Sequence, residues 1–232
     1  MRIDKSKCVN CGLCKPYCPV QAIEGDEVQV NLDKCVECNV CLRSHVCPTD
    51  AFVQEKLEWP RVLRSIFSDP LGKHESTQDM GRGTEEVKTN DVTNLVSPGN
   101  VGMTVEIGRP GISGSFSDLE KVTTALAKIG VNFAPRTPVT ALMSDQATGQ
   151  LQKEILNERV LSAIVEFTVK EEQVGQVLEV LDKVKDEIET VFSLAAFYAG
   201  GNEQKYPQAE FFISRGFTAS PAAKINLGLG RP

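Results

Sequence analysis

Apolar positions in the C-terminal half of the chain alternate between short runs and helical stripes. Residues 101–107 form an apolar-rich run that predicts a strand. Leu119, Val122, Leu126 and Ile129 then recur at helical spacing and predict a helix over 117–129, with Ser117 as N-cap and Gly130 as its stop. Residues 131–133 read as a short strand, 151–158 as a second helix and 161–169 as a buried strand. The clearest stripe is Val174, Val177, Leu178, Leu181, Val184 and Ile188, which predicts a helix over 171–188. Residues 191–198 and 223–229 read as further strands. This order, β-α-β followed by β-α-β and a last strand, predicts a sheet with helices packed on one face.

The first hundred residues follow a different pattern. Periodicity is weak there, and a repeat replaces it. Lys7-Cys8-Val9-Asn10-Cys11-Gly12-Leu13-Cys14 matches Lys34-Cys35-Val36-Glu37-Cys38-Asn39-Val40-Cys41 at an offset of 27 positions. The fourth cysteines, Cys18 and Cys47, are 29 apart, and each is followed by a proline, Pro19 and Pro48. The second copy therefore carries two extra residues, within Leu42-Arg43-Ser44-His45-Val46. Two copies of one unit predict a pseudo-twofold domain over 1–56. Residues 57–100 read as a connector, opened by a short amphipathic helix at 59–67 with Pro60 near its first turn, and 101–232 as the sandwich domain. The fold class expected for the whole is α+β.

Composition narrows the functions available. The formal net charge is −6, which argues against a nucleic-acid role, where a basic stripe is usual, and is compatible with docking on a basic partner. No run of 18 apolar residues occurs, so no membrane-spanning helix is expected. A cysteine at position 8 leaves no room for an apolar leader, and a cytoplasmic location is expected.

All eight cysteines fall between Cys8 and Cys47. Nothing in the sequence points to an oxidising compartment, so disulfides do not explain them, and metal or cluster ligation does. Two zinc sites of four thiolates each are one reading. The third cysteine at the same interval and the proline after the fourth favour iron–sulfur clusters. The first copy, C-x2-C-x2-C-x3-C-P, has the spacing of the bacterial ferredoxins.

On these motifs, residues 1–56 resemble the dicluster bacterial-type ferredoxins. The resemblance implies two 4Fe-4S clusters and a crossed ligand set. Carried over by position, Cys8, Cys11, Cys14 and Cys47 would hold one cluster, and Cys35, Cys38, Cys41 and Cys18 the other. Every ligand so implied lies before residue 56, which predicts that this segment alone can hold both clusters. His45, inside the longer second loop, reads as a loop residue and His74 as part of a polar stretch.

Less specific features remain. Gly81-Arg82-Gly83-Thr84 and the residues up to Asp91 read as a solvated connector. With Val105-Glu106-Ile107-Gly108-Arg109-Pro110-Gly111, that stretch is similar to ferredoxin-bearing reductases of the 6-hydroxynicotinate reductase kind. The β-α-β repeat resembles a ferredoxin-like or ACT-like sandwich. Trp59 is the single tryptophan and reads as an anchor for the connector. No nucleophile, base and orienter combine into a recognisable catalytic set. The expected function is electron transfer without bond-making chemistry, as a subunit of, or dedicated donor to, a larger oxidoreductase. Its redox partner would be a large subunit or a flavoprotein. Self-association through an edge strand at 223–229 would give a homo-oligomer. Two alternatives stand beside it: a catalytic reductase component binding flavin or a small heterocycle, and a redox or ligand sensor.

Overall fold

The computed structural model describes residues 1–77, 94–108, 113–198 and 207–216. The cysteine-rich segment contains β1 (Arg2–Ile3), β2 (Ile23–Glu24), β3 (Gln29–Val30), the single-turn helix α1 (Val40–Arg43) and β4 (Phe52–Val53). β1 pairs antiparallel with β4 and β2 with β3. Each pair joins the start of one repeat copy to the end of the other. The backbone keeps the repeat: Asn10 and Glu37, Gly12 and Asn39, and Gln21 and Asp50 all take left-handed φ angles at equivalent positions. Gly12 does so at no steric cost, whereas Asn39 is one of the few side-chain residues that tolerates it.

Next comes α2 (Val62–Ser68). It begins two residues after Pro60, since that ring suits the turn before a helix. Its apolar face, Leu63, Ile66 and Phe67, is fully buried in the C-terminal core. Phe67 meets Phe116 edge to face, with ring centroids 5.3 Å apart.

The C-terminal part has β5 (Asn100–Ile107), β6 (Gly114–Ser115), α3 (Phe116–Ala127), β7 (Asn132–Phe133), α4 (Pro138–Ala141), β8 (Met143–Asp145), β9 (Gln150–Leu151), β10 (Arg159–Val160), β11 (Ala163–Lys170), α5 (Val174–Val184), β12 (Phe192–Tyr198) and α6 (Pro207–Ser214). Among the described residues the main sheet has four strands in the order β12-β5-β11-β7, every pair antiparallel. Val101, Met103, Val105 and Ile107 alternate along β5 and lie opposite Val169, Phe167, Val165 and Ala163 of β11. Strand alternation puts all of them on one face. They share a core with Leu119, Val122 and Leu126 of α3 and with Val174, Val177, Leu178, Leu181 and Val184 of α5. The protein is thus mixed α+β.

Three elements differ from expectation. The N-cap of α3 is Ser115, not Ser117: the Ser115 Oγ accepts from the Asp118 amide at 3.0 Å. Residues 151–158 are not an α-helix. Leu151 closes β9, Lys153–Ile155 make one 3-10 turn, and the chain passes to β10. Leu151 and Ile155 both reach the core, and their i, i+4 spacing imitates a helical stripe. The helix expected over 171–188 is α-helical only over Val174–Val184, and Ile188 packs on the core from the turn beyond. The stretches 81–91, 109–111 and 223–229 lie outside the described residues.

Asp118 tests the capping of α3. Burial alone would raise its pKa, but the Ser115 hydroxyl, the Glu189 amide and Lys121 outweigh burial and hold it below the ordinary 3.8. A depressed pKa stabilises the fold above the unfolded value and ceases to do so as pH falls through the folded one. Asp118→Asn is therefore expected to cost about 2 kcal/mol at pH 7, in line with hydrogen bonds to a charged group. The gap from wild type should begin to narrow below pH ~4 and close only as pH falls through the depressed folded value. Urea melts followed from pH 7 down to about pH 2 check it, and a gap that stays constant with pH contradicts the electrostatic origin.

Candidate metal centre

The loops that carry the cysteines are built twice. Asp4 and Asn31 occupy equivalent positions, and their carbonyls accept from the amides of Cys8 and Cys35 at 3.0 Å each. The fourth cysteine of each copy also has an equivalent partner. The Ala22 amide donates to Cys18 Sγ at 3.1 Å and the Ala51 amide to Cys47 Sγ at 3.3 Å. Side-chain bonds hold each triplet loop to the other copy. Asn10 Oδ1 accepts from the Val28 amide, and Glu37, its equivalent, accepts from the Met1 amino group and from Arg61.

The strand pairing decides which thiols meet. β1–β4 brings the end of the second copy beside the start of the first, and β2–β3 does the converse. One cavity is lined by Cys8, Cys11, Cys14 and Cys47, with Ile3, Val28 and Phe52 among its apolar walls. A second is lined by Cys18, Cys35, Cys38 and Cys41, with Ile23, Val30 and Val36. The longer second loop is taken up by α1 and by His45, whose φ is +51°. His45 is exposed and lines neither cavity, whereas Val46 lines the first.

Electrostatics follows the same grouping. The Cys14 thiol is pushed up, by burial first and then by repulsion from Cys11, Cys47 and Cys8. Burial pushes Cys41 up to about 12, with Cys38, Cys35 and Cys18 adding to it. Cys35 and Cys38 are raised mainly by burial. Cys47 runs the other way, because the Ala51 amide stabilises its thiolate. Without a cationic cofactor the buried thiols stay protonated, so loading a metal or cluster must displace protons.

The donor set suits a cluster better than a single ion. Among the described residues no three His, Cys, Asp or Glu side chains converge closely enough to hold one metal ion. The thiols of each set stand around a cavity instead. Amides that donate to sulfur, as Ala22 and Ala51 do, are also the feature that tunes iron–sulfur centres.

The two cavities differ in exposure. Around the first, Val9 and Leu13 are 62% and 55% exposed. The loop of the second is covered by α2 and the residue that follows it. Arg61 and Arg64 bind the stretch from Leu32 to Glu37, and Asp69 binds Asn39 and Arg43 at 2.7 and 2.8 Å. Burial acts to raise the Asp69 pKa, but the Leu71 amide, Asn39 and Arg43 prevail and hold it low. Arg61, Arg64 and Asp69 escape a reading based on cysteine spacing. The signal for them is the i, i+3 pair Arg61 and Arg64 opposite the apolar face of α2, a pattern that also suits a solvated face.

Comparison with known proteins agrees at the N-terminus. Residues 1–24 match the 4Fe-4S binding domain family. The chain is 53% identical over 34 residues to Ferredoxin YfhL of Escherichia coli, covering 14% of this chain and 40% of that protein. It is 40% identical over 48 residues to the NADH-dependent phenylglyoxylate dehydrogenase subunit delta of Aromatoleum evansii, 20% of this chain and 50% of that one. It is 34% identical over 59 residues to the pyruvate synthase subunit PorD of Methanocaldococcus jannaschii, 24% and 66% respectively. The chain thus spans less than two thirds of each of these relatives. No solved structure matches it significantly. The N-terminus carries a 4Fe-4S ferredoxin domain. Among the described residues no helix is long and apolar enough to cross a membrane.

Proposed function

We propose that this chain is a dicluster electron-transfer protein, working as a subunit of, or dedicated donor to, a larger oxidoreductase. The observation that carries the reading is the division of eight thiols into two cavities of four, each set combining three cysteines of one copy with the fourth of the other. Cys8, Cys11, Cys14 and Cys47 would hold one 4Fe-4S cluster, and Cys18, Cys35, Cys38 and Cys41 the second. Such a cluster supplies reversible one-electron chemistry. The chain's own contribution is positional. Ala22 and Ala51 direct amides at the crossing sulfurs, and Ile23, Val28, Val30 and Phe52 keep the thiols in apolar surroundings. The exposed rim at Val9 and Leu13 makes the first cavity the side on which a redox partner approaches.

For the described residues between 94 and 198 we propose a ferredoxin-like or ACT-like sandwich. The succession β5, α3, β7, β11, α5, β12 and the strand order β12-β5-β11-β7 support it, being those of a split β-α-β unit. Its role here is to seat the cysteine segment and to dock. Two of the named relatives are subunits of larger enzymes, which supports a multi-subunit setting.

Anaerobic metal and sulfide analysis tests the core of this reading. About eight iron and eight acid-labile sulfide per chain are expected, four of each per cluster. Zinc with no sulfide refutes it, and four iron per chain refutes the count.

A further inference from the structure

We propose that Arg64 is a positioning residue for the second thiol cavity and that Glu158 sets its charge, so that the sandwich tunes one of the two redox sites and not the other. This rests on the cluster reading above and goes beyond it.

The geometry is specific. Arg64 is 6% exposed on α2, whose other face is built into the C-terminal core. Its Nη1 donates to the carbonyls of Leu32, Asp33 and Cys35 at 2.9, 3.0 and 2.9 Å. The turn that leads into the second triplet is thus wound around one guanidinium. Its Nε donates to the carboxylate of Glu158, in the turn before β10, which is 12% exposed. Further along the same two segments, the Leu161 amide donates to Ser68 Oγ at 2.8 Å. Among the described residues the first triplet has no counterpart: Cys8 is held in its loop by Asp4 and Asn10, both within the cysteine segment.

Two consequences follow. A buried guanidinium with three carbonyls on one nitrogen fixes the backbone at Cys35 more firmly than a lysine point charge would. Its charge is compensated from the sandwich. A neutral Glu158 would leave a net positive charge beside the loop of Cys35. Positive charge stabilises the reduced, more negative state of a centre held there, and in low dielectric that interaction is weakly screened.

The test is Glu158→Gln in the full chain, which keeps the side chain's shape and its ability to accept from Arg64. Anaerobic redox titration read by paramagnetic resonance is the measurement. Cys11→Ala and Cys38→Ala assign the two signals to the two cavities. The second-cavity signal should titrate with a reduced-to-oxidised ratio raised on the order of tenfold at fixed potential, about 59 mV for one electron. The first-cavity signal should not move. Glu158→Asp, with the charge kept but the reach shortened, should leave the potential near wild type and serves as the control if the Gln variant loads poorly. A selective shift or selective loss of the second signal supports the proposal. Unchanged signals, or equal changes at both, overturn it. A wild-type chain without two paramagnetic centres defeats the cluster reading instead.

Discussion

Replacing Cys18 with alanine should empty the site of Cys35, Cys38 and Cys41 and spare the site nearest in sequence. The expectation comes from the strand pairing. β2 follows Cys18 and pairs with β3, which precedes Cys35, so this thiol is carried across to the second loop. The first loop receives Cys47 in exchange, through β4 on β1. With one of four thiolates gone the site keeps three donors, and the Ala22 amide that faced Cys18 Sγ loses its acceptor. Iron should fall from about eight to about four per chain, or to seven if a three-iron centre survives at the damaged site. The paramagnetic spectrum of reduced Cys18→Ala should match that of Cys38→Ala. If it matches Cys11→Ala, the crossed assignment is wrong.

Much of this site was legible in the sequence because cysteine spacing is a local constraint. The offset between Cys8 and Cys35 already shows two loops of one kind, and the structure returns them with left-handed residues at equivalent positions. What spacing does not encode is what each loop leans on. Asn10 and Glu37 are equivalent, yet one accepts from a backbone amide and the other from the arginine that precedes α2. Arg61, Arg64 and Asp69 look like ordinary surface charges until the apolar face of α2 is known to be buried in another part of the chain.

The C-terminal elements were legible where an apolar stripe ran long. Val174 to Val184 is one face of α5, and the strands at β5, β11 and β12 lie within a residue or two of expectation. Short elements were not. Leu151 and Ile155 have helical spacing but are delivered to the core by a strand end and a 3-10 turn. Ser115 and Ser117 are equally good caps on paper, and the choice falls to Ser115 because β6 pairs with β10 at that residue and sets where α3 begins. The short helix α6 lies in a stretch with no clear stripe, and its Phe211 and Phe212 pack on the core only through tertiary contact.

The boundary after residue 56 bears directly on the second thiol cavity. Residues 1–56 contain every thiol, and a cofactor that binds only the folded form would stabilise so short a segment. That segment lacks Arg61, Arg64 and Asp69. Without them Glu37 loses its guanidinium partner, the carbonyls of Leu32, Asp33 and Cys35 lose a shared donor, and Asn39 and Arg43 lose a buried carboxylate. The first loop loses none of its bonds, because Asp4, Asn10, Val28 and Ala51 all lie within the fragment. Removing one partner of a buried charged pair costs about 3–5 kcal/mol, a large part of the stability of a small domain. Reconstitution of residues 1–56 should therefore yield about four iron per chain, not the eight that the positions of the thiols alone lead one to expect, with a paramagnetic signal that Cys11→Ala abolishes and Cys38→Ala leaves in place. The full chain reconstituted in parallel should yield about eight. Eight iron in the fragment, with both signals at their full-length potentials, would show that α2 is dispensable to the second site.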